Sequence, residues 1–393
     1  MGAPTLTLAS RALDLDFPVP EPQKARMATK STSSKTRSKK SSAGRRGKRS
    51  ASKATASSAS PERRTYRVAL TGACTFLGER FIAAMENDPD CEHVLAMDIR
   101  RPSSAGTKTR YERVDLTHPA ADERMAMLLE RDGVDTLLHL AFLAFPSHAS
   151  SWAHEVEAIG SLYVMNAAAA AKVRKVILAS TMMVYGAYPN NPNYLSEDHR
   201  LRGMPSSRWV MDKIAAEREL GRLKADMPEV TTTSLRFGIT IGPKSHSFFS
   251  RVFSRDVVMR LMGYDPLMQF LHEDDAVGAL LHAYKGDYEG AFNVVGDNVL
   301  YLSDALRLGG RVGIPVPYSL FKPTTTAFWG LQVVDIPGNF LDFFRYAWCG
   351  DDRRMREVMG FTPRFSSREA LVAFYEAKER RRADLRSAQW GGS

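Results

Sequence analysis

The sequence predicts an α/β fold: a doubly wound parallel sheet followed by a smaller C-terminal α/β lobe. From residue 66 to residue 181, short apolar runs alternate with helical stretches, an order typical of parallel sheets covered by helices. The first run, Arg67–Thr71, closes on Gly72, and Gly78 precedes the amphipathic stretch Glu79–Glu86. Strand, glycine-rich turn and helix in this order predict a Rossmann-type domain.

Residues 1–64 form a basic tail rich in Ser, Lys and Arg. Between Thr29 and Ser60 there are ten Lys or Arg and no Asp or Glu, which equals the formal net charge of +10. So polar a segment buries too little surface to offset its ordering entropy, and we expect disorder. Three roles stay open: a tether to nucleic acid or another anionic surface, a solubilising tail, and a transit peptide. Met27 is also a candidate start codon.

Cysteine usage and hydropathy narrow the class of protein. Cys74, Cys91 and Cys349 are odd in number and lack the spacing of metal ligands, so we expect no metal site and a reducing, cytoplasmic compartment. No apolar run approaches the ~20 residues that span a bilayer. The N-terminal segment also lacks the continuous apolar core of a signal peptide.

The loop from Gly72 to Gly78 predicts a dinucleotide site. Its geometry places free backbone N–H groups and a helix N-terminus against a pyrophosphate. Phe76 and Leu77 precede Gly78, and Thr75 stands where a middle glycine is usual, which weakens the motif.

The second predicted strand ends in Asp98, twenty residues after Gly78. That spacing suits an acid that accepts both hydroxyls of an adenosine ribose. Ile99 follows, and then Arg100 and Arg101, which are suited to a 2′-phosphate instead. Asp98 would repel that phosphate, so NAD is favoured over NADP.

Three further strands complete the predicted sheet. The third ends at Asp115 and Leu116, the fourth covers Asp135–Phe142, and the fifth covers Arg174–Thr181. An alanine-rich helix, Ala153–Ala171, separates the last two.

In the order of these motifs the chain resembles the extended short-chain dehydrogenase/reductase superfamily, specifically its NAD-dependent epimerase/dehydratase group. The resemblance covers roughly residues 66–300. It implies an adenine contact at Asp115 and a loop along the cofactor at Leu140, Ala141 and Phe142. Leu235–Pro243, which contains Phe237, resembles the strand and turn that open the substrate lobe.

The resemblance also implies a catalytic set. Ser180–Gly186 resembles the family's Ser-Ser/Thr-x-x-Val-Tyr-Gly segment, which puts Thr181 at the catalytic Ser/Thr position. Lys213 matches the lysine of Tyr-x-x-x-Lys, but Trp209 occupies the tyrosine position. The family's lysine lowers the tyrosine pKa, and the tyrosine exchanges a proton during hydride transfer. An indole N–H only donates, so Trp209 cannot do this. Tyr375–Lys378 has the wrong spacing to substitute and is expected on an exposed helix.

Two departures concern the substrate. Ile239 replaces an asparagine usual in sugar-nucleotide members of the family, and Met268 replaces an arginine that contacts the diphosphate. A diphosphate without cationic partners binds weakly. The aromatic residues of Phe321–Trp348 form either an apolar or membrane-facing wall or the packing of the small lobe, and we favour packing. His139 and His272 are expected to be hydrogen-bonded scaffold residues.

We therefore expect four segments: a tail at 1–64, a dinucleotide-binding domain at 65–243, an interleaved substrate lobe at 244–380 and a charged tail at 381–393. The favoured function is an atypical NAD-dependent oxidoreductase, epimerase or dehydratase of a hydroxy or keto compound, either a sugar nucleotide or something more apolar. Water, Asp212 or a substrate group would replace the tyrosine. The alternative is a catalytically silent dinucleotide-binding sensor or scaffold whose tail contacts nucleic acid or another polyanion. A homodimer is implied by resemblance alone.

Overall fold

The computed structural model describes residues 65–331 and 337–390. The predicted basic tail, residues 1–64, lies outside the described residues, as does Met27. The three cysteines are free thiols. No helix within the described ranges is both long and apolar enough to cross a bilayer.

A seven-stranded, wholly parallel sheet organises the described chain. Its strands are β1 Tyr66–Thr71, β2 Cys91–Asp98, β3 Thr109–Arg113, β4 Thr136–His139, β5 Lys175–Thr181, β6 Thr231–Phe237 and β11 Gly290–Val294. They lie in the order β11-β6-β5-β4-β1-β2-β3. The chain runs outward in both directions from β1, so the sheet is doubly wound, as predicted, and the carboxyl ends of β1 and β4 mark the point where the strand order reverses.

Helices cover both faces of this sheet. They are α1 Phe76–Asn87, α2 Ala121–Arg131, α3 Ser150–His154, α4 Gly160–Ala170, α5 Arg208–Asp226 and α7 Glu273–Lys285. Side chains alternate along each strand, so Val68 and Leu70 join the core under α1 and α7, whereas Ala69 joins the core under α2 and α4. A π-helical segment, Glu155–Ile159, connects α3 with α4, and the predicted helix Ala153–Ala171 spans all three pieces.

The smaller lobe contains three two-stranded pairs and short helices. Its strands are β7 Ile239–Ile241, β8 Val257–Leu261, β9 Leu267–Met268, β10 Phe270–His272, β12 Leu300–Tyr301 and β13 Val312–Val316. They pair as β7 with β10, β8 with β13, and β9 with β12. The helices are α6 Phe248–Phe253, α8 Leu302–Leu308, α9 Tyr318–Gly330, α10 Arg353–Glu357 and α11 Ser367–Trp390, and 3₁₀ turns cover Met182–Tyr185 and Gly338–Phe344. The chain returns to the main sheet at β11, so the lobe is interleaved with the sheet domain.

The aromatic residues near the C-terminus form mostly core. Phe340, Phe343, Phe344 and Trp348 are buried in the cluster between the sheet and the smaller lobe, which agrees with the packing interpretation. Phe328, by contrast, is 48% exposed.

Two expectations about the end of the chain change. Tyr375 is buried, and its hydroxyl donates to the backbone oxygen of Ala305 at 3.2 Å, so the prediction of an exposed helix was wrong at that residue. One face of α11 packs against the lobe. This helix continues to Trp390, so the expected boundary between residues 380 and 381 falls inside it.

Candidate cofactor and active site

The conformation of the loop between β1 and α1 is determined by close packing at Gly72 and by hydrogen bonds of Thr75. Gly72 has φ +70°, and a Cβ there would lie 2.5 Å from the backbone carbon of Leu140, so only glycine fits. Thr75 is the N-cap of α1: its hydroxyl donates to Gly72 O at 2.7 Å and accepts from Gly78 N at 3.1 Å. Threonine at this position therefore builds the turn. The first turn of α1 leaves backbone N–H groups without intrahelical acceptors, a ready site for an anion.

Asp98 lies at the carboxyl end of β2, facing this loop. Its Oδ2 accepts from Cys74 N at 2.9 Å, and its Oδ1 accepts from Arg100 N at 3.3 Å. These two bonds fix the carboxylate at the edge of a cavity of about 200 Å³, named here the β2-side cavity. Its lining includes Thr71, Gly72, Thr75, Asp98, Ile99, Asp115, Leu116, Ala141 and Phe142. Hydrogen bonds from Thr117 lower the pKa of Asp115, which keeps this carboxyl ionised.

A second cavity, of about 220 Å³, lies at the carboxyl ends of β5 and β6 and is named the β5-side cavity. Its lining includes Thr75, Phe76, Leu77, Leu140, Phe142, Ser180, Thr181, Lys213 and Phe237. The two cavities share Thr75 and Phe142. They therefore adjoin across the loop that precedes α1 and form one cleft along the edge of the sheet.

Lys213 connects the β5-side cavity with the protein interior. Its Nζ donates to Glu157 Oε1 at 3.0 Å and lies 4.2 Å from the ring centroid of Trp209 and 5.2 Å from that of Phe142. Burial raises the pKa of Glu157, and the positive charge of Lys213 opposes that rise. A cation covered by two rings and paired with a buried acid is held in one position.

Trp209 packs away from the cavities. It is 9% exposed, and its ring centroid lies 5.6 Å from that of Phe340 in the core of the smaller lobe. Its Nε1 is buried without a hydrogen-bond partner. Trp209 lines neither cavity, and its indole instead covers Lys213 from the side of the lobe.

Asp212, the adjacent residue on α5, pairs with a different side chain. Its Oδ1 lies 2.6 Å from His154 Nδ1, whereas its Oδ2 is buried and has no hydrogen-bond partner. Asp212 is absent from the lining of both cavities.

A buried network fixes the end of β5. Ser180 Oγ donates to Glu217 Oε1 at 2.5 Å, and Arg236 pairs with the same carboxylate. The hydroxyl of Tyr185 donates to Asn293 Oδ1 at 2.7 Å and accepts from Arg236. Burial raises the pKa of Tyr185 to about 12. No tyrosine among the described residues lines either cavity, so Tyr185 is structural.

The two histidines are structural as well. His139 is fully buried between Thr71 Oγ1 at 2.7 Å and Ser161 Oγ at 2.8 Å, and burial lowers its pKa to about 3. His272 caps α7 by accepting from Asp274 N at 3.1 Å. Both agree with the scaffold roles predicted for them.

The structure thus brings most of the predicted site residues to one cleft. Gly78, Arg100 and Trp209 lie beside it without lining it. The sequence analysis does not identify Glu157 and His154 as site residues, because it describes the segment that contains them only as an alanine-rich helix. An acid in an otherwise apolar, alanine-rich stretch was the available signal. The described residues contain no group of three or more His, Cys, Asp or Glu that could hold a metal ion.

A model of the NAD-dependent epimerase/dehydratase family matches residues 68–294, which include most of β1, all elements from α1 through β11 and every predicted site residue. The chain belongs to the NAD-dependent epimerase/dehydratase family. The resemblance predicted from motif order is therefore confirmed.

Two proteins with sequences similar to this chain are an uncharacterised protein and a named reductase. An uncharacterised protein of Mycobacterium tuberculosis is 30% identical over 325 residues, which cover 79% of this chain and 84% of that protein. A 3-diazoavenalumate denitrifying reductase of a Streptomyces species is 26% identical over 271 residues, which cover 65% of this chain and 84% of the reductase.

Solved structures of epimerase/dehydratase proteins share the fold. MoeE5 in complex with UDP-glucuronic acid and NAD superimposes with a TM-score of 0.62 at 23% identity, covering 80% of this chain and 99% of MoeE5. The UDP-glucuronic acid 4-epimerase of Bacillus cereus in complex with NAD gives 0.61 at 16% identity, with the same coverage. Both are NAD complexes, and the predicted cofactor, NAD, agrees with the family.

Proposed function

We propose that this chain is an NAD(H)-dependent oxidoreductase that interconverts a small hydroxy compound and the corresponding keto compound. The observation that carries the proposal is the pair of adjoining cavities at the carboxyl edge of the sheet. One presents Asp98, and the other presents Thr181 and Lys213. A dinucleotide laid across the loop before α1 reaches both.

The residues of the cleft fit such a cofactor. A pyrophosphate is accepted by the Gly72–Gly78 loop and the N-terminus of α1, since the close packing at Gly72 keeps the backbone within reach of the phosphates. Asp98, already oriented by two backbone N–H groups, accepts from ribose hydroxyls. When bound, the nicotinamide supplies or takes up a hydride. Thr181 and Lys213 are placed to hold the substrate oxygen at the same end of the cleft.

A small substrate is favoured over a sugar nucleotide. Ile239 and Met268, the two departures from the sugar-nucleotide pattern, are both buried in the aromatic core of the smaller lobe. They offer a diphosphate neither a cation nor an opening. The β5-side cavity has about 220 Å³ and is lined on the lobe side by Thr240, Ser245, His246 and Ser247. Hydroxyl groups in a cavity of this size suit a compact oxygenated compound.

Net oxidation or reduction is favoured over epimerisation. The Streptomyces relative, 26% identical to this chain, is named a reductase, whereas the superimposed Bacillus cereus epimerase is 16% identical. No observation on the described residues favours a catalytically silent sensor.

The test has two stages. The purified chain is denatured, and any released dinucleotide is identified by mass spectrometry; the emptied protein is then titrated with NAD(H) and NADP(H). We expect NAD or NADH to be recovered or to bind more tightly than the phosphorylated forms. A panel of small secondary alcohols and ketones is then followed by NADH absorbance. Lys213→Met is the matched variant that should lose turnover. A protein that binds neither dinucleotide contradicts the proposal.

A further inference from the structure

Glu157 is a fully buried carboxyl behind the β5-side cavity. Its Oε1 accepts from Lys213 Nζ at 3.0 Å and from Leu143 N at 2.6 Å, whereas its Oε2 is buried with no hydrogen-bond partner. An ionised carboxylate with one bare oxygen is costly to bury, and a protonated one is much less so. Burial raises the pKa of Glu157, and the charge of nearby Asp212 adds to that rise.

A second pair lies beside the first. Asp212 is bonded to His154, whose side chain is 28% exposed. The His154–Asp212 and Glu157–Lys213 pairs both connect the segment from α3 into the π-helix with α5. The charge of Asp212 acts on Glu157, so the two pairs lie close together. The bare Oδ2 of Asp212 and the bare Oε2 of Glu157 are both interior. The series begins at solvent with His154 and ends at the cavity with Lys213.

We propose that His154, Asp212, Glu157 and Lys213 form a proton relay between solvent and the β5-side cavity. Lys213 is its catalytic end, and the other three residues position and resupply the proton. The inference rests on the proposed function, because reduction of the keto compound to the alcohol consumes the proton that Lys213 delivers. It gives this chain a proton donor that the indole of Trp209 cannot provide.

In the direction of reduction, a hydride and a proton are added to the same carbonyl group. The carbonyl carbon accepts a hydride, with both electrons, from the reduced nicotinamide cofactor, and the C=O π bond opens. The carbonyl oxygen takes a proton from Lys213 Nζ, giving the alcohol. Lys213 regains a proton from the carboxyl of Glu157. Glu157 is reprotonated through Asp212 and His154, directly or by a bridging water, so one solvent proton enters per hydride consumed.

The surroundings of Lys213 support this role. The charged groups that act on Glu157 are Lys213 and Asp212, and the Nδ1 atom of His154 is hydrogen-bonded to Asp212. The rings of Trp209 and Phe142 lie 4.2 Å and 5.2 Å from Lys213 Nζ, and the Lys213 side chain is only 8% exposed. Water is thereby limited at Nζ, so a proton reaches it more readily through the side chains than from bulk solvent.

The first experiment needs no cofactor. Infrared spectra of the protein are recorded across a pH titration, and we expect the C=O stretch of a protonated carboxyl at neutral pH. The band should disappear in Glu157→Gln and remain in Glu155→Gln, since Glu155 is an exposed residue of the same π-helical segment. A band that Glu157→Gln leaves unchanged overturns the relay.

The second experiment follows proton movement after mixing with NAD⁺ in weak buffer containing a pH indicator. The positive nicotinamide ring near Lys213 should drive a proton out of the relay. His154→Gln, a change at a partly exposed residue, should slow that release about tenfold or more, with recovery in added imidazole. Asp212→Asn should have the same effect without rescue. Release at the wild-type rate in His154→Gln overturns the relay even where Glu157→Gln fails to fold.

The two experiments separate the relay from the proposed function. A protein that shows the Glu157 band but binds no NAD supports the buried proton and contradicts the oxidoreductase. A protein that binds NAD tightly, measured by calorimetry, but shows no such band overturns the relay alone. In the supporting case, the wild type binds NAD and shows the band, and Glu155→Gln retains the band and keeps NAD affinity within about threefold of the wild type.

Discussion

Asp98 is the residue on which cofactor preference depends. Cys74 N and Arg100 N hold its carboxylate at the edge of the β2-side cavity, where an anion repels a 2′-phosphate. Asp98→Asn keeps the side-chain volume but removes the charge. We expect NAD binding to weaken about tenfold to hundredfold, because a charged hydrogen bond contributes about 1.5–3 kcal/mol. The preference for NAD over NADP should narrow at the same time. Calorimetric titration measures both, and unchanged NAD affinity contradicts the assignment.

His139 makes stability depend on pH. Its folded pKa, about 3, is below the ordinary value of 6.5 because the ring is buried. The unfolded chain therefore binds more protons between those values, so the contribution of His139 is complete above about pH 6.5 and is lost as pH falls toward 3. Within this window the slope contributed by one proton approaches about 1.4 kcal/mol per pH unit.

The measurement is urea unfolding at several pH values. We expect His139→Gln to be less stable than the wild type at pH 7 but to lose less stability on acidification. His118→Gln, at an exposed histidine, is the control and should follow the wild-type curve. Parallel pH curves for His139→Gln and the wild type would contradict the burial argument.

Trp209 and Glu157 should be coupled in catalysis. If the relay supplies the proton, Trp209→Tyr alone should change kcat less than about threefold, because a second donor adds little. In a Glu157→Gln background the new tyrosine should raise kcat about tenfold or more. Trp209→Phe removes a similar volume without a hydroxyl and should give no recovery. Each Trp209 variant should also lose about 1–3 kcal/mol of stability through poorer packing on Phe340. Turnover is followed by NADH absorbance with the substrate that the screen identifies.

At the scale of elements, the turn from β1 to α1 determines whether the cleft exists. Gly72→Ala places a Cβ 2.5 Å from the backbone of Leu140, at a φ of +70°, so the loop must shift. We expect NAD binding to fall below detection in calorimetry while the far-ultraviolet spectrum stays native. Gly221→Ala is the matched control, because a Cβ there meets nothing within 4 Å in the middle of α5. That substitution should stabilise the protein by about 0.5–1 kcal/mol and leave binding intact.

Some features of these elements could be predicted from the sequence alone, and others could not. The β1 turn and the carboxylate ending β2 were predictable, because each depends on a few neighbouring residues whose geometry is local. The role of Thr75 as a helix cap was not recognised, although Ser and Thr are common N-caps. Glu157 was missed for a different reason. Its partner, Lys213, is 56 residues away in sequence, and the π-helical turn that aims it inward has no simple sequence pattern.

At the scale of the molecule, the smaller lobe limits what reaches the cleft. Its aromatic core includes Phe248, Phe249 and Trp348 and incorporates Ile239 and Met268. The family's sugar-nucleotide pattern has polar groups at the last two positions. Ile239 and Met268, which depart from this pattern, are thus part of the packing of the lobe. We do not expect a single substitution to restore the polar pattern.

The basic tail, residues 1–64, lies outside the described residues, and its charge is the basis for a prediction about DNA binding. Its ten Lys or Arg from residue 29 to residue 60 account for the formal net charge of +10, so residues 65–393 are near neutral. A tether to nucleic acid predicts duplex DNA binding by the full chain with a steep salt dependence: each neutralised phosphate contributes a slope of about −0.9 in log K against log salt. Residues 65–393 should not bind. NAD affinity should be equal for both chains, because the cleft residues begin at Thr71. Equal DNA binding by both chains would place the nucleic-acid surface on the folded domain, and no binding by either would leave the solubilising tail and the transit peptide as the roles still open.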